Sequence, residues 1–502
     1  MKNKKGFILI LTLIFMTVLT VFTGALLYMA TADMRNVAPQ SDDVNMGGMA
    51  DAGINKAYRA ISDDYAGSAP SPGSRTGVAD LRGADTSLSS SIGAQDNMRY
   101  IDSVNATINN NNDLAILRTF DSNYTNTRIV SVVPYIRASR ATGGSGATVQ
   151  FSYTTDGINY TTLLTQVLPN SAVIVPYAGT AISGLTWSQI MSPNFRLRAI
   201  RTAGNRDVNV DSMYLQVTYG IDTLKELWAT GGYATFPISL SGGTVDSITV
   251  TDEESKVHLN YASQLLLQNL LTNLGVSSAA TKATNIVNFR GAPLTNPFDS
   301  VEELQQVTGI TVADYTAIKN YVTAYSFLNP NSYNTHPATA ASTSVRAPVN
   351  VNTAPFGVLK AIFDPLGLGA GDSTTLANAI ITFRNSTPFT CFYTSNAAVT
   401  TDLFDFVRSQ GGYLTAAEQN TVIDNADASY LAPVSGFINA TETTEFCYAS
   451  TVFNIDTLVS LGGRHFRVKT LRGNGYDTSR IRSFATYSGD AIFSGWRKEN
   501  FE

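Results

Sequence analysis

The N-terminal apolar segment constrains this chain more than any other feature of the sequence. Residues Phe7–Ala32 (FILILTLIFMTVLTVFTGALLYMATA) contain no charged side chain, and three lysines lie just before them. As a helix the segment would be about 39 Å long, enough to cross a hydrocarbon core of about 30 Å with some tilt. The lysines place the N-terminus in the cytoplasm and the bulk of the chain on the outer side of the membrane.

Two interpretations of this segment remain after a secretory signal peptide is rejected, since its apolar core is too long for one. A plain N-terminal anchor fits its length and charge. The second interpretation comes from the junction of Gly6 and Phe7, where a short basic leader ends in glycine and an aromatic residue opens the helix. This junction resembles a type IV prepilin leader. The resemblance implies a leader at 1–6, cleavage between Gly6 and Phe7, and N-methylation of Phe7.

Composition and charge fit an exported protein of several domains. The chain has 502 residues, only 15% of them charged, and a net charge of −5. This acidic balance argues against a general nucleic-acid-coating role, which requires a basic surface.

Cysteine usage gives one further expectation. Cys391 and Cys447 are the only cysteines, with no CxxC spacing, so a metal site built on them is not expected. In an oxidising compartment a disulfide between them is the simpler interpretation, and two buried thiols are the alternative.

The first half of the chain divides by its hydrophobic period. The apolar helix is expected to continue into solvent, giving a helix over 7–62, and residues 63–97 have the Ser/Gly/Ala/Asp-rich composition of a linker. Residues 98–220 alternate with a period of two between frequent turns, which predicts an antiparallel β-sandwich. This sandwich loosely resembles sugar-binding modules of exported proteins, although no ligand signature accompanies it.

The second half contains two similar helical segments, which begin at Asn285 and Ala379. Each has a helix ending in Phe-Arg, a Pro-Phe pair, an acidic helix and a Gly-containing turn before another helix. This pattern predicts helix-hairpin-helix units, in which Gly309 supplies the positive φ of the first turn. The hairpin has Glu302 and Glu303 beside it, so nucleic-acid binding is not expected.

Several motifs together resemble the K-type minor pseudopilin of type II secretion systems and the long minor pilins of type IV pilus systems. They are DEESKVHLN with its strand pair, the Leu-rich helix that follows, ELQQVTGIT and NVNTAP. The resemblance implies an α+β fold with an N-terminal transmembrane pilin-like helix and a pilin-type antiparallel sheet. The sheet would use 224–260 and 451–489, with a helical domain inserted at 261–450. The β-sandwich departs from the usual family pattern.

The resemblance also implies a function, namely initiating or capping a membrane-extruded filament at its tip. The ordinary pilin has Glu at the fifth mature position, where this chain has Leu11. Expected partners are other minor pilins, the major filament subunit, a prepilin peptidase and the inner-membrane assembly platform. The expected location is the bacterial inner membrane, with a single span and the bulk of the chain in the periplasm.

Two other functions remain open, a membrane-anchored DNA-uptake receptor and an anchored sugar-binding protein. Catalysis is not expected, because the sequence has no GxSxG, HExxH, phosphate-binding glycine loop or Cys/His pair. The resemblance implies calcium for some members, bound by Asp or Asn oxygens of the insert. No ligand residues can be named for it.

Overall fold

The computed structural model describes residues 4–66, 75–81, 83–88, 105–120, 129–240, 242–291, 295–326, 347–391, 401–426 and 446–473. In chain order up to residue 240 the elements are α1 (Lys4–Ala66), β1 (Arg75–Leu81), β2 (Gly83–Leu88), β3 (Ala106–Ile108), β4 (Leu114–Phe120), β5 (Ile129–Arg140), β6 (Ala147–Thr154), β7 (Thr161–Val167), β8 (Val175–Ala178), α2 (Trp187–Ile190), β9 (Arg196–Gly204), β10 (Val208–Ile221), α3 (Leu227–Thr230) and β11 (Ile238–Leu240).

The remaining elements are β12 (Gly243–Asp252), β13 (Val257–His258), α4 (Gln264–Asn273), α5 (Ala279–Arg290), α6 (Val312–Ile318), β14 (Val322–Thr323), β15 (Val349–Asn350), α7 (Phe356–Phe363), α8 (Asp372–Ser386), α9 (Leu403–Arg408), α10 (Ala416–Ala426), β16 (Phe446–Cys447), β17 (Val452–Leu461) and β18 (Arg464–Gly473). Short 3₁₀ helices occupy Glu253–Ser255, Val301–Gln306 and Asp364–Leu366. The predicted mixed α+β class, with an N-terminal apolar helix and antiparallel sheets, is confirmed.

Two antiparallel sheets form the sandwich. One has the order β1-β10-β5-β8 with β3 also on β10, and the other has the order β2-β4-β9-β6-β7. Alternate residues of the strands point inward and are buried, as Val149 and Phe151 of β6 and Leu197 and Ala199 of β9 are. The expected turn between β6 and β7 is present, with Gly157 at φ +79°.

The prediction of a linker at 63–97 was wrong in part. Residues 75–81 pair along their whole length with β10, and residues 83–88 pair with β4. These strands lie at sheet edges, where backbone hydrogen bonds to a long neighbouring strand hold a segment whose own sequence has no regular apolar alternation.

A third antiparallel sheet, which we call the platform, has the order β11-β12-β17-β18. Residues 46–61 of α1 pack on β12, β17 and β18 of the platform. One expectation needs correction here, and another is untested. The segment Val257–His258 pairs in parallel with β14 rather than returning along β12, and so belongs to the helical unit. The strand expected near 480–489 lies outside the described residues.

The helical unit leaves the platform after β12 and returns to it at β17. It consists of two similar halves. Each half opens with a strand that pairs in parallel with the strand closing that half, β13 with β14 and β15 with β16. One continuous apolar core runs through this unit and the sandwich, while α1, α3 and the platform enclose a separate one.

Candidate functional site

Residues 12–29 of α1 form an apolar surface that the rest of the described chain leaves uncovered. Thr12–Met29 has a mean hydropathy of 1.9 and is not buried by the rest of the chain, so its length and composition allow it to cross a membrane. Three threonine hydroxyls in this span donate to the carbonyl oxygen four residues earlier, Thr17 to Leu13 at 2.6 Å among them. These three hydroxyl protons are therefore satisfied within the helix rather than by water, which suits a lipid environment.

The later part of α1 is fitted closely to the platform. Ile54, Ala57 and Ile61 are buried against it. A Cβ at Gly53 would lie 3.1 Å from Thr457 Cγ2 and 3.3 Å from Ile248 Cδ1, so the helix backbone approaches the sheet at a place where only glycine fits without displacement. Glycine weakens a helix; here it allows the contact.

Charged residues Asp222, Asp252 and Glu254 are buried where the three parts of the molecule meet, a region we call the junction. The backbone N–H of Ser450 donates to Asp222 Oδ2 at 2.7 Å, and that of Val452 donates to Glu254 Oε2 at 3.1 Å. These carboxyl groups thus hold the chain as it re-enters the platform from the helical unit.

Asp252 lies where the chain leaves the platform for the helical unit, close to the point at which the chain re-enters it. It accepts hydrogen bonds from the backbone N–H of Glu254, at 2.8 Å, and from the Thr353 hydroxyl. Burial raises the pKa of the Asp252 carboxyl, against the opposing effect of these donors. No local signal in the sequence marks the junction, because partners such as Ser450 and Val452 lie far along the chain from Asp222 and Glu254.

The two cysteines are buried free thiols, so the predicted disulfide between Cys391 and Cys447 is not present in the structure. Cys447 lies in β16 beside the junction, and burial followed by the charge of Glu254 raises its pKa. Cys391 lies beside Asp402, and burial likewise raises its pKa. The thiols occupy different surroundings in the helical unit, and both are held in the unreactive protonated form.

The helix α1 includes the predicted cleavage residues Gly6 and Phe7 and also Leu11. The structure describes only the backbone at these three positions. Within the described residues, no group of three or more His, Cys, Asp or Glu side chains could hold a metal ion. The calcium ligands that the resemblance implied therefore stay unnamed.

The two hairpins of the helical unit use their polar groups internally. In the first, Gly309 takes φ +84° and Thr311 forms a capping box with Asp314. Lys282 Nζ donates to Asp314 Oδ2 at 2.7 Å, so this lysine is already paired. In the second, Glu418 accepts from the backbone N–H groups of Thr415 and Gly369. Lys282 is therefore not available to bind a phosphate at the first hairpin.

A matching pair of contacts, absent from the sequence analysis, fixes each half of the helical unit. Asn260 Nδ2 donates to Phe298 O at 2.9 Å and its Oδ1 accepts from Phe298 N at 2.8 Å. Asn352 makes the same two bonds to Phe389, both at 2.8 Å. The available signal in the sequence was a short motif at the start of each half, His-Leu-Asn in the first and Asn-Val-Asn in the second.

Comparisons with known proteins give only weak likenesses. No protein-family model and no curated protein sequence matches the chain. The crystal structure of the GspK-GspI-GspJ complex from the enterotoxigenic Escherichia coli type 2 secretion system is similar at 14% identity and TM-score 0.30, covering 56% of this chain and 87% of that chain.

Two carbohydrate-binding modules are similar to a smaller part of the chain. CBM32 of AlyQ in complex with 4,5-unsaturated mannuronic acid has 13% identity and TM-score 0.18, covering 28% of this chain and 97% of that one. The CBM22-1 xylan-binding domain from Paenibacillus barcinonensis Xyn10C has 14% identity and TM-score 0.19, covering 28% and 85%. Likenesses at this level say nothing about activity.

Proposed function

We propose that this protein is a non-enzymatic minor pilin or pseudopilin that sits at the tip of a membrane-extruded filament and initiates or caps its assembly. One observation carries the proposal: a bare apolar span continues, within one helix, into a segment packed on an antiparallel platform. A helix of this kind can lie in a membrane before assembly and against neighbouring helices afterwards.

The tip position is supported by Leu11 and by the inserted units. In an apolar bundle of helices, an N-terminal ammonium without a carboxylate partner would cost several kcal/mol. A subunit with leucine at position 11 supplies no carboxylate to the neighbour it would normally pair with, and a subunit at the filament end has no such neighbour. The sandwich and the helical unit add bulk that a repeating shaft subunit would have to accommodate at every step.

The proposed partners are other minor pilins, the major filament subunit, a prepilin peptidase and an inner-membrane assembly platform. The proposed location is the inner membrane, with the platform, sandwich and helical unit in the periplasm. The DNA-uptake alternative has less support, since Lys282 beside the first hairpin is already paired with Asp314.

Processing provides the first test. Intact-mass measurement of membrane-extracted protein should give a chain that starts at Phe7 and carries one added methyl group. The variant Gly6→Leu should keep the leader, whereas Gly24→Leu, the same change inside the apolar span, should be processed normally. A mature start near Ala30 would mean an ordinary signal peptide and would refute the pilin assignment.

Position in the filament provides the second test. Gold-labelled antibody against the helical unit should mark one end of each filament, and deletion of the protein should lower the number of filaments. Leu11→Glu should reduce initiation, because it buries a charge without a partner. Even labelling along the shaft would refute the tip position and leave the pilin assignment standing.

A further inference from the structure

The outer face of β9 in the sandwich bears two arginines that have no carboxylate partner among the described residues. Arg196 and Arg198 alternate with Leu197 and Ala199, which point into the core and are fully buried. Residues two apart on a strand share a face and stand about 6.8 Å apart. Among the described residues, neither guanidinium forms an ion pair, whereas Arg137, Arg201 and Arg467 each have an aspartate within 4.0 Å.

The neighbouring strand adds a third positive charge. Arg118 of β4 lies directly across from Arg196, and its other register neighbour is Asp85 of β2. Like charges directly opposite one another in a sheet destabilise it. The whole segment 105–221 has eight arginines, five aspartates and neither lysine nor glutamate, although the complete chain has a net charge of −5. The excess positive charge is thus built into the sandwich.

Arg198 is held in place by its surroundings. Its Nε donates to Ser152 Oγ at 3.2 Å, and its guanidinium carbon lies 3.5 Å from the centre of the Tyr160 ring. Partial burial lowers the pKa of Arg198 from its usual value. A guanidinium stacked on an aromatic ring loses little further freedom when an anion binds to it.

Arg196 is also placed by the fold rather than left free in solvent. Its Nε is inaccessible and has no hydrogen-bond partner in the described part of the chain. A Cβ at Gly157 would lie 3.2 Å from Arg196 Nη2, so the glycine turn between β6 and β7 leaves the room in which this guanidinium sits. A partly desolvated cation that lacks an internal partner is suited to an external anion.

We propose that this face, formed by Arg196, Arg198 and Tyr160, binds an acidic oligosaccharide through the carboxylates of its uronic acid residues. Exposed Thr162 and Thr165 lie on β7, which is separated from β9 by β6 in the same sheet, and their hydroxyls can bond to hydroxyls further along the sugar chain. A nucleic acid fits less well. Its charge density calls for many more cations, and the Tyr160 ring that a base would stack on is covered by Arg198.

The test uses the full chain in detergent micelles and a fluorescent oligogalacturonate as the probe. Binding should weaken steeply as sodium chloride is raised. The same oligosaccharide with its carboxyl groups reduced to alcohols should bind at least about tenfold more weakly. Equal binding of the reduced sugar, binding of single-stranded DNA but not of the uronate, or no binding at all would each overturn the proposal.

Variants locate the site. Arg196→Gln and Arg198→Gln should each weaken uronate binding about tenfold, and the double variant should abolish it. Arg206→Gln is the matched control, because Arg206 belongs to the same sandwich, also lacks an ion pair among the described residues, and lies against Gly143 and Gly144 away from this face. An equal loss in Arg206→Gln would show that net charge alone drives binding and would overturn the site. Unchanged melting temperatures would show that the variants are folded.

Discussion

The two halves of the helical unit are built on one frame and differ in their charges. The shared frame consists of a parallel strand pair, an asparagine bonded to a phenylalanine backbone, and a Phe-Arg at the end of a helix. Arg290 donates to Leu259 O and, at 2.6 Å, to Ala262 O. Arg384 donates to Val351 O at 2.6 Å.

The differences lie in the side chains around this frame. Aligning Arg290 with Arg384 places Lys282 of α5 opposite Leu376 of α8, and both positions are buried. One half therefore has the ion pair with Asp314 where the other has an apolar contact. The arginine and asparagine side chains that bond to buried backbone atoms are the same in both halves. The ion pair of the first half, in contrast, is replaced by an apolar contact in the second. The frame thus depends on backbone hydrogen bonding more than on charge.

The largest expected effect separates the two arginines. Arg290→Met leaves two buried carbonyl oxygens without donors and should cost about 4 kcal/mol, whereas Arg384→Met leaves one and should cost about 2 kcal/mol. Burial lowers the pKa of both arginines to about 10, so both stay charged at neutral pH. Amide hydrogen exchange within each half measures the loss. The exposed Arg408→Met serves as the control, and equal losses at 290 and 384 would contradict the ordering.

The asparagines should behave alike. Asn260→Ala and Asn352→Ala each leave one buried N–H and one buried C=O unpaired, so each should destabilise its own half by about 3 kcal/mol. Asn285→Ala, which loses a bond from an exposed side chain to Thr308 O, should cost less than about 1 kcal/mol. Hydrogen exchange of Phe298 and Phe389 gives the comparison. A clear inequality between the two alanine variants would show that the frame is not equivalent in the two halves.

Replacing Lys282 of the first half by leucine, the residue at the equivalent position 376 of the second half, tests the ion pair with Asp314. Lys282→Leu should destabilise the protein by about 1–2 kcal/mol at pH 7, because Asp314 loses its cation. Lys282 lowers the pKa of Asp314 in the folded protein. The ion pair therefore stabilises the protein fully above the pKa that Asp314 has in the unfolded chain, and this stabilisation is lost as the pH falls through its folded pKa. The difference between wild type and variant should shrink below about pH 4. A difference that persists in acid would indicate packing rather than charge.

The smallest effect concerns the helix cap at Asp402. Its Oδ1 accepts from Asp405 N at 2.7 Å, and burial raises its pKa to about 6. The folded pKa lies above the unfolded value of 3.8, so the protein loses stability as pH rises from about 4 to above 6. Asp402→Asn keeps an acceptor and should be more stable by at most about 1 kcal/mol at pH 7.5.

Thermal melts at two pH values check this last prediction. Wild type and Asp402→Asn should melt together at pH 4 and separate at pH 7.5. Ser300, at the corresponding cap of the first half, makes no side-chain cap bond, so Ser300→Asn should show no pH-dependent difference. Destabilisation of Asp402→Asn at neutral pH would show that the carboxylate has a charged partner.

Local patterns were enough to predict the elements whose signals lie within a few residues. The apolar helix, the alternating strands of the sandwich and the Gly309 turn are of this kind. The β1 and β2 strands were missed because their sequence is irregular and their partners β10 and β4 lie far along the chain. Val257–His258 was assigned to the wrong sheet, since a two-residue strand has no period and its partner is β14.

The candidate sites show the same division. The proposed leader junction at Gly6, and the leucine at position 11 in place of glutamate, are features of the sequence itself. The junction carboxyl groups and the two neighbouring arginines of β9 form sites only because the fold brings together residues from distant segments. The disulfide expectation failed because cysteine count and compartment say nothing of the distance between two buried thiols.

The split platform sets an order of events for the newly made chain. β12 and β17 are neighbours in the sheet, yet the helical unit separates them along the chain, so their pairing must close a loop of about 200 residues. The N-terminal helix is made first, but the surface it packs on is complete only after β18, which ends at Gly473, has been synthesised. Until then, the apolar stripe of Ile54, Ala57 and Ile61 is uncovered in the growing chain, and such exposed apolar surface favours aggregation.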